Sequence, residues 1–404
     1  MLRSIETDAA MKLLYDIPVE YKPETVKLQN AQGRVTASKI TAEMAIPPFD
    51  RSPYDGYAFR GADTADASRE NPAILRITEE LPAGTAPKYE VTPGTAAKIL
   101  TGAPIPKGAD STIKYELTES TVSEVSIFEP VAPDTDLVYA GSDVMPGDLI
   151  AEAGTLITAP VISALANQGF TDVRAYGKPV ITVISTGDEL REVGEPLSPA
   201  AIYNSNVHTI SAYLAEIGVV PVNGASIPDR PEQIAEAIGS ALERSDMVIT
   251  TGGASVGDYD WAVRAAELLG AEVLFWKVQM RPGGAIMAAL KDGKLILGLS
   301  GNPAAAVLGL HRVAMPFIKK LCGRNDCFYK QIEVMLKEGY KKSSPKLRVL
   351  RGRLEVIDAK AYFVENKGQG SEVMSSLAGC DLLGEIPMGS QPLPAGTIIK
   401  AYRV

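Results

Sequence analysis

Between residues 178 and 326, short apolar β-branched runs alternate with segments of helical period. This alternation limits the possible folds more than any other feature of the chain. The runs "PVITVIS", "VVPVNGASI", "DMVIT", "AEVLFWKVQM" and "KLILGLS" predict strands. In "NSNVHTISAYLAEIG", Ile210, Leu214 and Ile217 share one helix face and Gly218 ends the pattern. In "RPEQIAEAIGSALERS", Pro231 sits in the first turn and Ile234, Ile238, Ala241 and Leu242 face inward. "DYDWAVRAAELLG" and "NPAAAVLGLHRVAMPFIKKL" add further helices. Strands and helices alternating in this way predict a parallel α/β domain.

The flanks read differently. Residues 4–15 predict a helix, with Ile5, Ala9, Leu13 and Leu14 near helical spacing before Pro18. Residues 20–158 carry short alternating runs such as "ILRIT" and "VSIFEP" between Pro and Gly. "PAGT" at 82 and 394, "PGT" at 93 and "PGD" at 146 predict type II turns, in which Pro sets the first position and Gly supplies positive φ. From about residue 329 the β character returns, with "IDAKA" as a hairpin turn. A chain of 404 residues that is 46% hydrophobic suffices for two to four such domains.

Composition excludes several functions. The net charge of −9 and the lack of any Lys/Arg-rich run argue against a nucleic-acid partner. No apolar run approaches membrane-spanning length, and the N-terminus mixes acids with apolar residues. A cytoplasmic protein with no membrane partner is expected. Three cysteines without metal-type spacing fit a reducing compartment, and two histidines give little basis for imidazole catalysis or zinc.

In open α/β sheets, ligands sit outside the carboxyl ends of strands. Three of those ends are rich in small residues: "STGDEL", "TTGGASVGDYD" and "GLSGNPAAA". Gly252, Gly253 and Gly301 would let backbone approach a ligand, and the following helices would offer N–H groups to an anion. None is a P-loop, and each alone also fits a tight turn. Together they favour a phosphate-bearing ligand. Asp188, Glu189, Asp229 and Asp258 follow the same strands and would repel phosphate unless a cation intervened. Glu189, Asp229 and Asp258 are therefore the candidate Mg²⁺ ligands, with helix capping as the alternative for Asp229 and Asp258. Lys277 and Arg281, four apart near a strand end, are candidate anion binders or solvated surface charges.

The ordered stretches "IPPFDRSPYDGYAFRGADT", "ILTGAPIPKGAD", "GSDVMPGD", "STGDEL", "IYNSN", "TTGGASVGDYD", "FWKVQMRPG", "GLSGNP", "RGRL" and "GQGS" span nearly the whole chain. They resemble the molybdopterin molybdenumtransferases, a family that includes the E domain of gephyrin. The resemblance implies a multi-domain α/β plus β protein. Its parts would be an elongated, discontinuous N-terminal domain (1–51 and 141–177), an inserted β-rich domain (52–140), an α/β molybdopterin-binding domain (178–326) and a C-terminal β-barrel (327–404). It implies a homodimer with a shared active site. It also implies Mg²⁺-dependent insertion of molybdate into adenylyl-molybdopterin with release of AMP. The implied catalytic residues are Asp55, Thr101, Asp143, Glu189, Asp229 and Asp258. The implied substrate and oxyanion set is Gly252, Gly253, Ser255, Lys277, Arg281, Gly301, Asn302, Arg351 and Ser371.

One stretch departs from the family pattern. "RPGGA" has Gly284 where a lysine is usual and Ala285 where a proline is usual, and "GLSGNP" has Ser300 where proline is common. A missing lysine charge predicts molybdate capture about ten- to a hundredfold weaker, and predicts that Gly284→Lys would tighten it. Arg348 and Lys346 are the candidates to compensate. The alternatives to molybdate insertion are a tungstate-inserting paralogue, a non-catalytic molybdopterin-binding scaffold and a phosphoanhydride hydrolase on the same fold.

Overall fold

Each of the five runs expected as strands between 178 and 326 contributes a strand, two of them shorter than expected, and their order in space sets where a ligand can sit. The structure is a computed structural model that describes residues 2–253 and 261–404. The chain divides into two compact units. One comprises Met1–Ser38, Ala153–Thr158 and Asp172–Val404, and the other Lys39–Glu152 and Ala159–Thr171.

In the first unit the central elements are β1 (Val180–Ser185), α1 (Ser205–Glu216), β2 (Val220–Asn223), α2 (Pro231–Leu242), β3 (Met247–Thr251), α3 (Trp261–Leu268), β4 (Glu272–Trp276), β5 (Met287–Lys291) and β6 (Lys294–Leu299). They form a six-stranded sheet ordered β2-β1-β3-β6-β5-β4. The first four strands are parallel, as predicted. β5 and β4 run antiparallel, so the sheet is mixed. The cause is local. Asp292 and Gly293 both have positive φ and close a two-residue hairpin with Lys291 opposite Lys294. β5 is absent from the sequence reading although the Asp-Gly pair signals it. "AEVLFWKVQM" is not one strand either: β4 ends at Trp276, and Lys277 turns into the left-handed region at φ 73.

The sheet is apolar on both faces because both are covered. Ile181, Val183, Ile249 and Leu297 pack with α1, and Ile184, Val248 and Ile296 pack with α2 and α3. Residues 2–5 do not start the predicted helix. Leu2 and Ile5 bridge Phe275 and Val278 instead, so the helix begins at Thr7 and Ala9 faces solvent.

The predicted helix over 302–321 forms in three pieces: α4 (Pro303–Gly309), a π-helical turn (Leu310–Ala314) and α5 (Met315–Leu321). The widened turn lies directly before Pro316, which has no N–H to donate to an i−4 carbonyl. It buries His311, whose Nδ1 lies 2.6 Å from the Tyr329 hydroxyl and whose Nε2 has no partner among the described residues. Burial, then the charge of Lys319, pushes the His311 pKa down to about 4 from 6.5. As pH falls through 6.5 the unfolded chain takes up a proton that the folded chain refuses. The His311 contribution to stability is therefore full above pH 6.5 and falls by roughly 3 kcal/mol on the way to pH 4. Urea midpoints should drop more steeply over that window in the parent than in His311→Gln. Equal slopes would show that His311 is not held neutral.

Strands β7 (Gln331–Leu336), β8 (Leu347–Ile357), β9 (Lys360–Glu365), β10 (Leu382–Ile386) and β11 (Ile398–Arg403) close the ring β8-β9-β7-β11-β10 into a five-stranded barrel. The "IDAKA" turn forms as expected, with Asp358 and Ala359 at positive φ. A short strand, Met280–Arg281, runs parallel to β8.

The second unit is built on a six-stranded sheet from strands between Gly56 and Ile127. The strand Gly56–Phe59 lies between two clusters, with Tyr57 and Phe59 in one and Ala58 in the other. The predicted Pro-Gly turns form, with Gly84, Gly94 and Gly147 at positive φ, as does Gly396 in the first unit. Among the described residues no helix is long and apolar enough to cross a membrane.

Candidate functional site

The loops after β1, β3 and β6 meet at one cavity of about 590 Å³. Thr186 and Glu189 come from the first loop, Thr251, Gly252 and Gly253 from the second, and Ser300, Gly301 and Asn302 from the third. Glycine is required here by close approach. A Cβ on Gly252, whose φ is 91, would collide with the Thr186 carbonyl oxygen, and a Cβ on Gly301 would lie 3.3 Å from the Gly252 Cα. The start of α1 adds Ser205 and Asn206, and the Asn206 amide donates to the Gly301 carbonyl at 2.8 Å. Behind it, buried Asn204 accepts from the Ser185 hydroxyl and donates to Ser226, which donates to Glu192. This chain of bonds ties the β1 loop to the N-terminal end of α1.

Two of the three candidate metal ligands reach the cavity. Glu189 and Asp229 both face it. Asp258, and with it Ser255, lies outside the described residues. Among the described residues no group of three or more His, Cys, Asp or Glu is placed to hold a metal. Asp229 is not a helix cap: the residue at the start of α2 is Arg230, and no side chain caps that end. Among the described residues Asp229 Oδ1 is instead buried with no hydrogen-bond partner. Burial raises its pKa, the neighbouring Thr186 hydroxyl offsets part of the shift, and the charges of Glu189 and Asp188 add to it. A buried carboxylate oxygen without a donor, beside a second carboxylate, suits a hard cation.

A second cavity of about 630 Å³ adjoins the first, and Ala285, Ser300 and Asn302 face both. It is lined by Lys277, Arg281, Lys342, Lys346, Arg348 and Ser371, among others. Lys277 holds its left-handed backbone with its ammonium 3.9 Å from the centre of the Trp276 ring. Ser300, in the place where proline is common, accepts the Asn302 N–H at 3.2 Å.

Arg351, the expected oxyanion binder, does not line either cavity, and its Nε and Nη1 have no partner among the described residues. It is fully buried, and its guanidinium donates to the carbonyls of Gly368 and Gly370 at 3.0 and 2.9 Å. Those carbonyls belong to the loop that presents Ser371. Arg351 therefore shapes the cavity wall from behind.

In the second unit, Asp55 Oδ1 accepts from both the backbone N–H and the hydroxyl of Thr101 at 2.7 Å. These two bonds, the backbone one first, lower the pKa of exposed Asp55. Gly56 fixes the position, because a Cβ there would overlap the Ile113 carbonyl oxygen. Asp143 is exposed, and its backbone N–H bonds to the Ile46 carbonyl at 3.0 Å.

Residues 5–169 match the MoeA N-terminal region (domain I and II), 182–320 the probable molybdopterin binding domain, and 333–404 the MoeA C-terminal region (domain IV). The molybdopterin molybdenumtransferase of Bacillus subtilis (strain 168) is 34% identical over 404 residues, covering 99% of this chain and 94% of that protein. That of Staphylococcus epidermidis (strain ATCC 12228 / FDA PCI 1200) is 33% identical over 395 residues, covering 98% and 94%. The chain belongs to the molybdopterin molybdenumtransferase family. A crystal structure of a molybdopterin biosynthesis moeA protein from Pyrococcus horikoshii OT3 shares the fold, with a TM-score of 0.84 at 28% identity over 100% of both chains.

Within this family member the Gly284 departure has a steric side. The Val278 N–H bonds to the Gly284 carbonyl, folding residues 278–284 onto themselves. A Cβ on Gly284 would overlap the Met280 carbonyl oxygen and lie 2.6 Å from that of Val278. No side chain fits there without moving backbone. Asn204 and Asn206, inside the quoted "IYNSN", and Lys342 are the site residues that sequence reasoning missed. Their signal was the motif itself and the scattered lysines of "KKSSPK" ahead of β8.

Proposed function

We propose that this chain performs the reaction for which its relatives are named, molybdenum transfer to molybdopterin. The proposed substrates are adenylyl-molybdopterin and molybdate, and AMP is the released product. The supporting observation is a Gly-lined, acid-bearing cavity continuous with a cation-lined one. An adenylylated substrate and an oxyanion together carry the charges that two such cavities complement. Backbone N–H groups of the loops at Gly252 and Gly301 would face the phosphate oxygens. Lys277, Arg281 and Ser371 would hold the oxyanion near the position the dithiolene must reach.

Glu189 and Asp229, with Asp258, are the proposed Mg²⁺ ligands, and the partnerless Asp229 oxygen is what supports that assignment. Such an ion supplies charge neutralisation and polarisation of a phosphoryl oxygen. Asp55, buttressed by Thr101, and Asp143 are proposed to complete the site from a second copy in a homodimer.

The test is incubation with adenylyl-molybdopterin, Mg²⁺ and molybdate or tungstate, with AMP and metallated cofactor measured. Both products should appear in equal amounts, and mixed dimers of Asp55→Ala and Asp229→Ala chains should recover part of the activity. AMP without metallated cofactor would identify a hydrolase. Neither product from folded protein would leave binding alone. Additive loss in verified mixed dimers would refute the shared site.

A further inference from the structure

The cation-lined cavity contains a pairing that a protein without an anion does not favour. In the parallel pairing of Met280–Arg281 with β8, Arg281 is the register partner of Arg348. Like charges set directly opposite across strands destabilise the pair. Arg281 is exposed and Arg348 half-buried, so solvent screens part of this repulsion, but among the described residues the Arg348 Nε is buried with no hydrogen-bond partner. Lys277, Lys342 and Lys346 line the same cavity. Among the described residues none of these five side chains forms an ion pair. The acid that Arg348 influences is Glu365, whose pKa burial raises while the charges of Arg348, Arg351 and Lys342 pull it down. Across the cavity, Gly284 leaves no room for a side chain.

We infer that Arg348, paired with Arg281 and supported by Lys346, is the oxyanion-selecting residue of this chain. It supplies from the barrel the positive charge that position 284 cannot carry. The class of ligand is a tetrahedral dianion, molybdate or tungstate. A guanidinium offers parallel N–H donors to two oxygens of such an ion, and the second arginine, one strand away, reaches it from the other side. The anion removes the repulsion between the two arginines, so protein geometry and ligand charge are mutually dependent. This inference rests on the reading of the second cavity as the oxyanion site.

The experiment measures binding of sodium molybdate, and separately of sodium tungstate, to the full chain by calorimetry at fixed ionic strength, without adenylyl-molybdopterin. Arg348→Gln should weaken binding at least tenfold and Lys346→Gln about threefold. Arg348→Lys should recover part of the loss, because charge returns without the planar donor pair. Thermal midpoints separate anion binding from a purely structural role. Without oxyanion, Arg348→Gln should melt close to the parent temperature, since relief of the repulsion by Arg281 offsets the lost attraction to Glu365. With saturating molybdate the parent should gain stability and Arg348→Gln should not. If Arg348→Gln does not fold, Arg348→Lys carries the test, with an expected loss of three- to tenfold. Binding within twofold of the parent in folded Arg348 variants would overturn the inference. So would a lowered anion-free midpoint that accounts for the lost binding. A parent that binds molybdate yet releases no AMP from adenylyl-molybdopterin would count against the proposed reaction and leave this assignment standing.

Discussion

Asp229→Asn should leave the chain folded, raise its thermal midpoint by roughly 2–4 °C and lower AMP release by about a hundredfold or more. The two effects have one origin. Among the described residues Asp229 Oδ1 is buried without a donor, and its raised pKa reflects burial, offset in part by the nearby Thr186 hydroxyl, together with the charges of Glu189 and Asp188. A carboxyl group whose folded pKa lies above its unfolded value penalises the folded state once pH rises past the unfolded value. At neutral pH an amide of the same shape removes that penalty, so stability rises. As pH falls below the raised folded value toward the unfolded 3.8, the folded carboxyl takes up a proton, and the difference between variant and parent should shrink. Function moves the other way, because the amide no longer offers a negative oxygen to a cation. Differential scanning calorimetry at pH 7.5 and 4.5, with AMP release measured against Mg²⁺ concentration, tests both halves. Normal turnover in the variant would refute the metal role. A lowered midpoint at pH 7.5 would mean that Asp229 makes a stabilising contact after all.

Gly284→Lys should lose about 1–3 kcal/mol of stability and should not improve molybdate use. Charge alone predicts the opposite, since a lysine ammonium near the oxyanion would strengthen its capture. Sterics decide the outcome. The first side-chain atom, Cβ, already overlaps the Met280 carbonyl oxygen and crowds that of Val278. Both oxygens are backbone, so relief requires the 278–284 turn to move, and that turn carries Arg281. Gly284→Ala is the deciding control. It adds the Cβ without any charge and should lose most of the same stability in urea unfolding. A parent-like midpoint for Gly284→Ala would show that the turn yields easily. Tighter molybdate binding by a stable Gly284→Lys would restore the sequence-based expectation.

The part of this fold that could be read in advance is the part that local chemistry dictates. β-branched runs, helix faces, Pro-Gly turns and the "IDAKA" hairpin each report on backbone preferences within a few residues, and most formed where expected. The exceptions are the start of the first helix, the break in "AEVLFWKVQM" and the π-helical turn before Pro316. The Gly-rich strand ends were legible for the same reason. Loops that cross the end of a sheet need glycine wherever backbones touch, as at Gly252 and Gly301. One strand that was missed, β5, carried its own signal in Asp292-Gly293. The motif series was legible as a family pattern across nearly the full chain, and it brought in Asp55 and Thr101, which no periodicity marks.

Side-chain direction was not legible, because it is set by pairing between distant segments. Arg351 and Arg348 lie three residues apart on β8. The sequence makes Arg351, inside the family motif, the natural ligand. Barrel closure buries Arg351 behind the Ser371 loop, and pairing with Met280–Arg281 brings Arg348 to the cavity. Gly284 gives the same lesson. Its letter reads as a lost charge, and only the folded turn shows that two carbonyl oxygens already occupy the space. The sequence by itself determined the strands, the helices, the Gly loops and the family. Tertiary structure decided which charges face the ligand, because a strand register or a backbone approach is a relation between residues that no local pattern encodes.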